Sequence, residues 1–248
     1  MPVRPHLPQT APAIARLDDV DSTNSYVVSQ LDDLPHGLFV SAECQRDGRG
    51  RLGRSWHSPP GSVYMTGVVK PPCISPADDL AGFLTLSMAV SVCDVLENFG
   101  IEPTIQWPND VLIGREKIGG VLAQAVWVDD RFVGVAVGVG VNVNMGHREL
   151  QRIDQPATSL RTLIGQSYDV RAIAEEVAAH FLQKLASPER AVLRADVVRR
   201  SPYLGSRVTV CTSRGTVGGL AADLDPSFSL VVADPRGARH VVQTGDLR

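Results

Sequence analysis

Between residues 43 and 56 the chain reads Glu43-Cys44-Gln45-Arg46-Asp47-Gly48-Arg49-Gly50-Arg51-Leu52-Gly53-Arg54-Ser55-Trp56. Glycines alternate with arginines, directly after an apolar run and before an aromatic. Arg presents a planar, permanently charged fork that pairs with phosphate or carboxylate. Gly lets the backbone turn sharply and approach a ligand closely. The stretch predicts a loop that wraps an anion; composition alone is equally consistent with a solvated basic loop.

Other residues carry potential chemistry. Lys117 lies between Gly114 and Gly119-Gly120, at the edge of a predicted turn. Its ammonium there could stabilise negative charge on a carboxylate, phosphate or leaving group, or be a plain turn lysine. In Trp107-Pro108-Asn109-Asp110, Asp110 is a candidate oxygen ligand for Mg²⁺, which uses few protein carboxylates beside substrate phosphates. It could equally cap a turn. Asn142 and Asn144 alternate with valines, and buried amides need partners. Gly138-Val139-Gly140 is similar to a dinucleotide fingerprint but lacks its third glycine. Within a strand such glycines would allow close approach of a ligand. His57 and His147 are isolated. No nucleophile elbow and no His/Cys zinc spacing occur.

These residues need elements to position them. Asp21-Ser22-Thr23-Asn24 supplies N-caps for a helix carrying Tyr26, Val27, Leu31 and Leu34. Leu38-Phe39-Val40 is a short strand that delivers the chain into the Gly/Arg loop, and 62–69 is another. Residues 77–99 predict a helix capped near Asp78 or Asp79, with Gly100 at its C-terminal end. Strands follow at 104–107, 111–113, 119–128 and 131–143, the last two joined at Asp129-Asp130 and apolar enough to lie between layers. A second long helix is expected over 170–185 with Asp169 as its cap. Ser187-Pro188 and Ser201-Pro202 bracket a connecting region. Beyond it, 207–211, 216–224, 228–232 and 239–242 read as short strands of a small β-barrel-like unit.

The 248 residues suffice for one large domain, or one domain with a small appendage. A formal net charge of −3 argues against general nucleic-acid binding and makes the arginine cluster a local feature suited to a small anion. Cys44, Cys73, Cys93 and Cys211 have neither metal nor secreted-scaffold spacing, which fits a reducing cytoplasm. No apolar run reads as long enough to span a bilayer.

The ordered series of motifs resembles the biotin–protein ligases. It comprises Asp21-Ser22-Thr23-Asn24, Glu43-Cys44-Gln45, Gly48 to Trp56, Trp107-Pro108-Asn109-Asp110, Lys117-Ile118-Gly119-Gly120 and Gly138 to Asn142. The resemblance implies an α+β fold: a mixed β-sheet with helices packed on it, of the class II synthetase-like type, then a small SH3-like β domain. It implies an N-terminal arm at 1–13, a catalytic domain at 14–200 and the β domain at 201–248. The implied activity joins biotin and ATP as biotinoyl-5'-AMP, releases pyrophosphate, and transfers biotin to a lysine of a biotin carboxyl carrier domain. Mg²⁺ is implied, with Asp110 on the metal side.

By resemblance Lys117, Arg49 and Arg51 are the catalytic residues. Ser22, Thr23, Asn24, Gln45, Gly48, Arg49, Lys117, Gly119, Gly120 and Gly138 hold biotin. Arg49, Arg51, Arg54, Trp56, Asn109, Lys117 and Asn142 hold the nucleotide. The short arm leaves no room for the helix-turn-helix of relatives that repress transcription, so the expectation is a single-function enzyme without operator or membrane binding, monomeric or weakly dimeric. Two departures stand out. Leu52 replaces a basic residue of some relatives, and Asp225-Pro226-Ser227 occupies a turn that often bears glycine. Lipoate or octanoate attachment is the nearest enzymatic alternative, and a non-catalytic biotin-binding regulator the alternative of another class.

Overall fold

The computed structural model describes residues 11–74 and 80–247. The chain runs β1 (Ile14–Val20), α1 (Thr23–Gln30), β2 (Phe39–Gln45), β3 (Val63–Val69), α2 (Leu80–Glu97), β4 (Thr104–Gln106), β5 (Asp110–Ile113), β6 (Glu116–Val128) and β7 (Arg131–Val141). Then come α3 (His147–Leu150), α4 (Leu160–Ile164), α5 (Val170–Ala186), α6 (Arg190–Arg199), β8 (Arg207–Thr212), β9 (Gly215–Leu224), β10 (Leu230–Ala233), β11 (Arg239–Val242) and β12 (Asp246–Leu247).

Seven strands form one sheet in the order β1-β2-β3-β7-β6-β5-β4; β1 pairs parallel to β2 and every other pairing is antiparallel. A second, five-stranded antiparallel sheet has the order β11-β10-β9-β8-β12. The α+β reading, a mixed sheet with helices and then a small all-β unit, therefore holds. Most of the predicted arm falls on residues 1–10, outside the described residues, as do the proposed caps Asp78 and Asp79.

Strand periodicity decides which face does what. Side chains alternate between the two faces of a strand. Along β7, Val135, Val137, Val139 and Val141 enter the main core beneath α2 and α5. Ala136 instead faces α1, where it meets Val27, Leu31, Val40 and Val68. Gly138 and Gly140 continue that second face beyond the end of α1. They carry no side chain, so the sheet is bare there and a cavity can form. Continuous apolarity in β7 thus conceals two faces with different tasks.

α2 is apolar nearly all round, as a helix enclosed by protein on every side must be. By length and composition it could cross a bilayer, contrary to expectation, yet 72% of it is buried inside the fold. Its apolarity is that of a core helix, packed between the sheet, α5 and the second sheet. Phe83 on α2 meets Phe228 with ring centroids 6.2 Å apart. The Trp107 indole nitrogen donates to the Phe228 carbonyl at 3.1 Å. The two sheets share one continuous core through these contacts.

Two local expectations are corrected and one is refined. The region bracketed by Ser187-Pro188 and Ser201-Pro202 contains helix α6 rather than a plain connector. Arg200 just beyond it is buried and donates to Asp94 and Glu97 of α2, which anchors this segment. The outer half of β6 is not buried between layers: Trp127 and Val128 are exposed at the hairpin end. Lys117, expected at the edge of a turn, is the second residue of β6, just past the turn at Gly114-Arg115.

Candidate active site

The bare patch of sheet forms the floor of a cavity of about 250 Å³. Its inner end is polar. Ser22 caps α1, accepting from the Ser25 N–H at 3.4 Å, and this fixes Thr23 and Asn24 at the helix start. The Thr23 N–H and Oγ1 both donate to Gln45 Oε1, at 2.9 and 3.2 Å. Gln45 Nε2 donates to Ser58 Oγ at 2.8 Å, and Thr66 Oγ1 donates to Thr23 Oγ1 at 3.0 Å. Asn24 Nδ2 donates to the Leu122 carbonyl, while its Oδ1 is buried with no partner. A buried acceptor without a donor is costly, so this oxygen is set up to accept from a ligand N–H.

Trp56 lies on the glycine floor. A Cβ built at Gly140 would meet Trp56 ring atoms at 2.5 to 2.7 Å, and one at Gly120 would meet the same ring at 3.1 Å. The close approach that these strand glycines permit is therefore made first by the indole. At Gly138 a Cβ would meet Asn24 Nδ2 at 2.8 Å. Gly48 is needed for a different reason: a Cβ there would collide with the Trp56 carbonyl at 2.5 Å and with Ser58 Oγ at 2.6 Å.

Positive charge converges at the outer end. Lys117 Nζ lies 2.8 Å from Asp110 Oδ1, a charge pair whose geometry falls short of a hydrogen bond. The same ammonium stands 5.2 Å from the Trp56 ring centroid, within cation–π range. Arg51 Nη1 donates to Asn109 Oδ1 at 2.9 Å and to the Gly245 carbonyl at 3.4 Å; Nη2 donates to Thr244 Oγ1 at 2.7 Å. Burial draws the Arg51 guanidinium below its ordinary pKa, opposed by Asp246 and Asp110. Arg54 pairs with Asp246, and Arg49 with Asp47 at 3.3 Å.

The Gly/Arg loop is a tight, self-closed hairpin. The Trp56 N–H donates to the Gly48 carbonyl at 2.7 Å, and the Gly50 N–H to the Arg54 carbonyl at 2.7 Å. At its tip Leu52 has φ +56° and is 72% exposed. A left-handed leucine exposed on a loop tip is unfavourable both as backbone and as apolar surface.

Ser22, Thr23, Asn24, Gln45, Arg49, Arg51, Arg54, Trp56, Asn109, Asp110, Lys117, Gly120 and Gly138 all line the one cavity. Gly48, Gly119 and Asn142 do not. Gly119 packs against the Gly140 carbonyl. Asn142 Nδ2 donates to the Thr158 carbonyl at 3.0 Å and the Lys117 carbonyl at 3.4 Å, so it supports the strand bearing Lys117. Asn144 exchanges hydrogen bonds with the Tyr168 backbone. Sequence reasoning missed the contribution of the second sheet: Thr244, Gly245 and Asp246 meet the loop from the far end of the chain. No local signal marks them.

The sequence model of the biotin/lipoate A/B protein ligase family matches residues 17–142. The biotin--[acetyl-CoA-carboxylase] ligase of Mycobacterium tuberculosis is 34% identical over 221 residues, covering 85% of this chain and 78% of that protein. The enzyme of the same name from Paracoccus denitrificans is 28% identical, with 92% and 96% covered. Among solved structures, the biotin protein ligase of Aquifex aeolicus in complex with biotin and ATP superimposes with a TM-score of 0.80 at 25% identity, covering 95% of this chain and 97% of that one. With half its length matched by the family and a relative of this identity aligned over most of both chains, the protein belongs to the biotin/lipoate A/B protein ligase family.

Proposed function

We propose that this chain is an ATP-dependent biotin–protein ligase. In the first step a biotin carboxylate oxygen attacks the α-phosphorus of ATP, the bond to the β-phosphate oxygen breaks, and pyrophosphate leaves. In the second, the neutral amine of a carrier-domain lysine attacks the acyl carbon. AMP departs with the electrons of the acyl–oxygen bond, and the new amide nitrogen gives up a proton. The carrier is a biotin carboxyl carrier domain, as the names of the relatives suggest.

One observation carries the reading: a single cavity joins a polar inner end with an unpaired buried acceptor to an outer end where Lys117, Arg51 and Arg54 converge. The inner end suits the ureido ring of biotin, whose N–H would satisfy Asn24 Oδ1 beside the Thr23–Gln45 pair. The outer end suits the triphosphate. Carboxylate and α-phosphate repel each other, and cations reaching both lower that cost as charge builds in the transition state. Lys117 is placed to do this because the glycine floor holds Trp56, and Trp56 and Asp110 hold the ammonium. Arg49 covers the ligand while Gly48 lets the base of the loop close on Trp56, Arg51 and Arg54 take phosphates, and Trp56 packs by the adenine. Asn109 steers Arg51, and Asn142 acts through the backbone of Lys117.

Mg²⁺ accompanying the triphosphate supplies charge neutralisation as pyrophosphate leaves. Asp110 fits such a metal: it is one carboxylate at the cavity edge, and Mg²⁺ keeps most of its ligands as phosphate and water. Among the described residues no group of three or more His, Cys, Asp or Glu forms a dedicated cage, which suits a metal that arrives with the nucleotide. The hydrogen-bonded inner end favours a compact polar head group over the long acyl chain of lipoate. Incubation with ATP, an apo carrier domain and radiolabelled biotin or lipoate tests this. Label is expected from biotin; label from lipoate alone would overturn the assignment.

A further inference from the structure

Arg51 and Arg54, which the proposed chemistry assigns to nucleotide phosphates, are both already occupied. Residues 244–246, at the far end of the chain, supply most of their partners, and Asp246 opens the last strand of the second sheet. Arg54 is paired with the Asp246 carboxylate. Arg51 instead bonds neutral acceptors: Asn109 Oδ1, Thr244 Oγ1 and the Gly245 carbonyl. Asp246 and Leu247 line the same cavity as Lys117. The carboxylate is thus the anion nearest to where a triphosphate would meet Arg54.

The two contacts differ in how easily they yield. Arg51 is partly buried and held by several acceptors. Arg54 and Asp246 have side chains 61% and 22% exposed, so this pair is the looser one. β12 is only two residues long and pairs with β8 through Asp246↔Cys211 and Leu247↔Val210. A short edge strand of this kind moves at low cost.

We propose that Asp246 is a stand-in anion. β12 latches the Gly/Arg loop in the ligand-free protein, and the triphosphate takes Arg54 by displacing the Asp246 carboxylate. The latch stands on the geometry alone; the identity of the displacing group rests on the ligase reading. A pair that only braced the two sheets would act otherwise, since weakening it would loosen the site for every ligand. Competition instead makes Asp246 specific to the nucleotide.

The test uses Asp246→Asn, with Asp246→Ser as a second variant should the first fold poorly. Hydrogen exchange of the loop amides in residues 47–56, measured without ligand, should quicken about two- to five-fold, as expected for losing one half-exposed ion pair. Arg54→Gln should have the same effect, and the double variant no more than either alone. In biotin-dependent pyrophosphate exchange the KM for ATP should fall about two- to five-fold while the KM for biotin does not. Unchanged loop exchange, or a KM for ATP that stays or rises, would overturn the latch. Loop exchange is read without turnover. Absence of any biotin-dependent exchange in the unaltered protein would therefore count against the ligase reading and leave the latch to be judged by its own measurement.

Discussion

Gly140→Ala is the sharpest perturbation of the site. The added Cβ would stand 2.5 Å from Trp56 Cε2, 2.6 Å from Nε1 and 2.7 Å from Cζ2. Gly140 lies inside β7, paired with Tyr64 and Gly120, and its φ is not in the left-handed region. Alanine is thus acceptable to the backbone, and the effect is a collision with one side chain. Carbon atoms pack at about 3.5–4.0 Å, so the indole must lift by roughly 1 Å. Pushed off the glycine floor, it shifts within the cavity it lines, where the Lys117 ammonium stands 5.2 Å from the ring centroid. Overpacking of this kind costs about 1–3 kcal/mol, which in a chain of this size is a fall in Tm of roughly 2–12 °C. Adenylate formation should suffer more than stability, because the ring enters ligand space. Thermal melting and biotin-dependent pyrophosphate exchange should be measured for Gly140→Ala, Trp56→Ala and the pair. The reasoning predicts that Trp56→Ala removes the stability cost of Gly140→Ala, a coupling of about 1–3 kcal/mol. A Gly140→Ala protein with unaltered melting and exchange, or two additive substitutions, would refute it.

Further outcomes follow from the same geometry. Lys117→Ala should cut pyrophosphate exchange by about 10²- to 10³-fold, the loss expected for one preorganised charge donor, while the folded baseline and melting stay close to those of the parent. Normal exchange in that variant would remove Lys117 from the chemistry. His36 and His180 are both held below the ordinary histidine pKa by burial, with Asp94 opposing at His180. A histidine with a lowered folded pKa binds its proton more readily when unfolded, so stability should fall as pH drops through about 6.5 toward the folded value. Urea denaturation at pH 7.5 and 5.5 should show this loss, and His180→Gln should lessen it. A slope identical in the variant would dismiss His180 as a source.

The elements read best from sequence were those decided locally. α5 starts at Asp169, whose side chain accepts from the Arg171 and Ala172 N–H groups, as a capping carboxylate should. α2 and the β6–β7 hairpin were likewise legible from apolar pattern and turn residues. β1 was missed because, as an edge strand reading Ile14-Ala15-Arg16-Leu17-Asp18-Asp19-Val20, it lacks a buried face of period two. α6 was missed because its buried side amounts to Leu193 and Val197 among charged residues. At the site, residues within one motif were found together, because a short loop can gather them by itself. The meeting of Arg54 with Asp246 joins positions 192 residues apart, and no periodicity or spacing encodes such a contact. Asn142 shows another limit. Its burial was foreseen, but whether its amide faces a ligand or a backbone carbonyl depends on the path of the 157–160 segment.

Biotin-dependent ATP–pyrophosphate exchange, with purified protein and no carrier present, tests the central claim most directly. The site described here predicts exchange that requires both biotin and Mg²⁺ and that appears before any carrier is added. Exchange that proceeds without biotin, or none at all under saturating biotin, ATP and Mg²⁺, would contradict it.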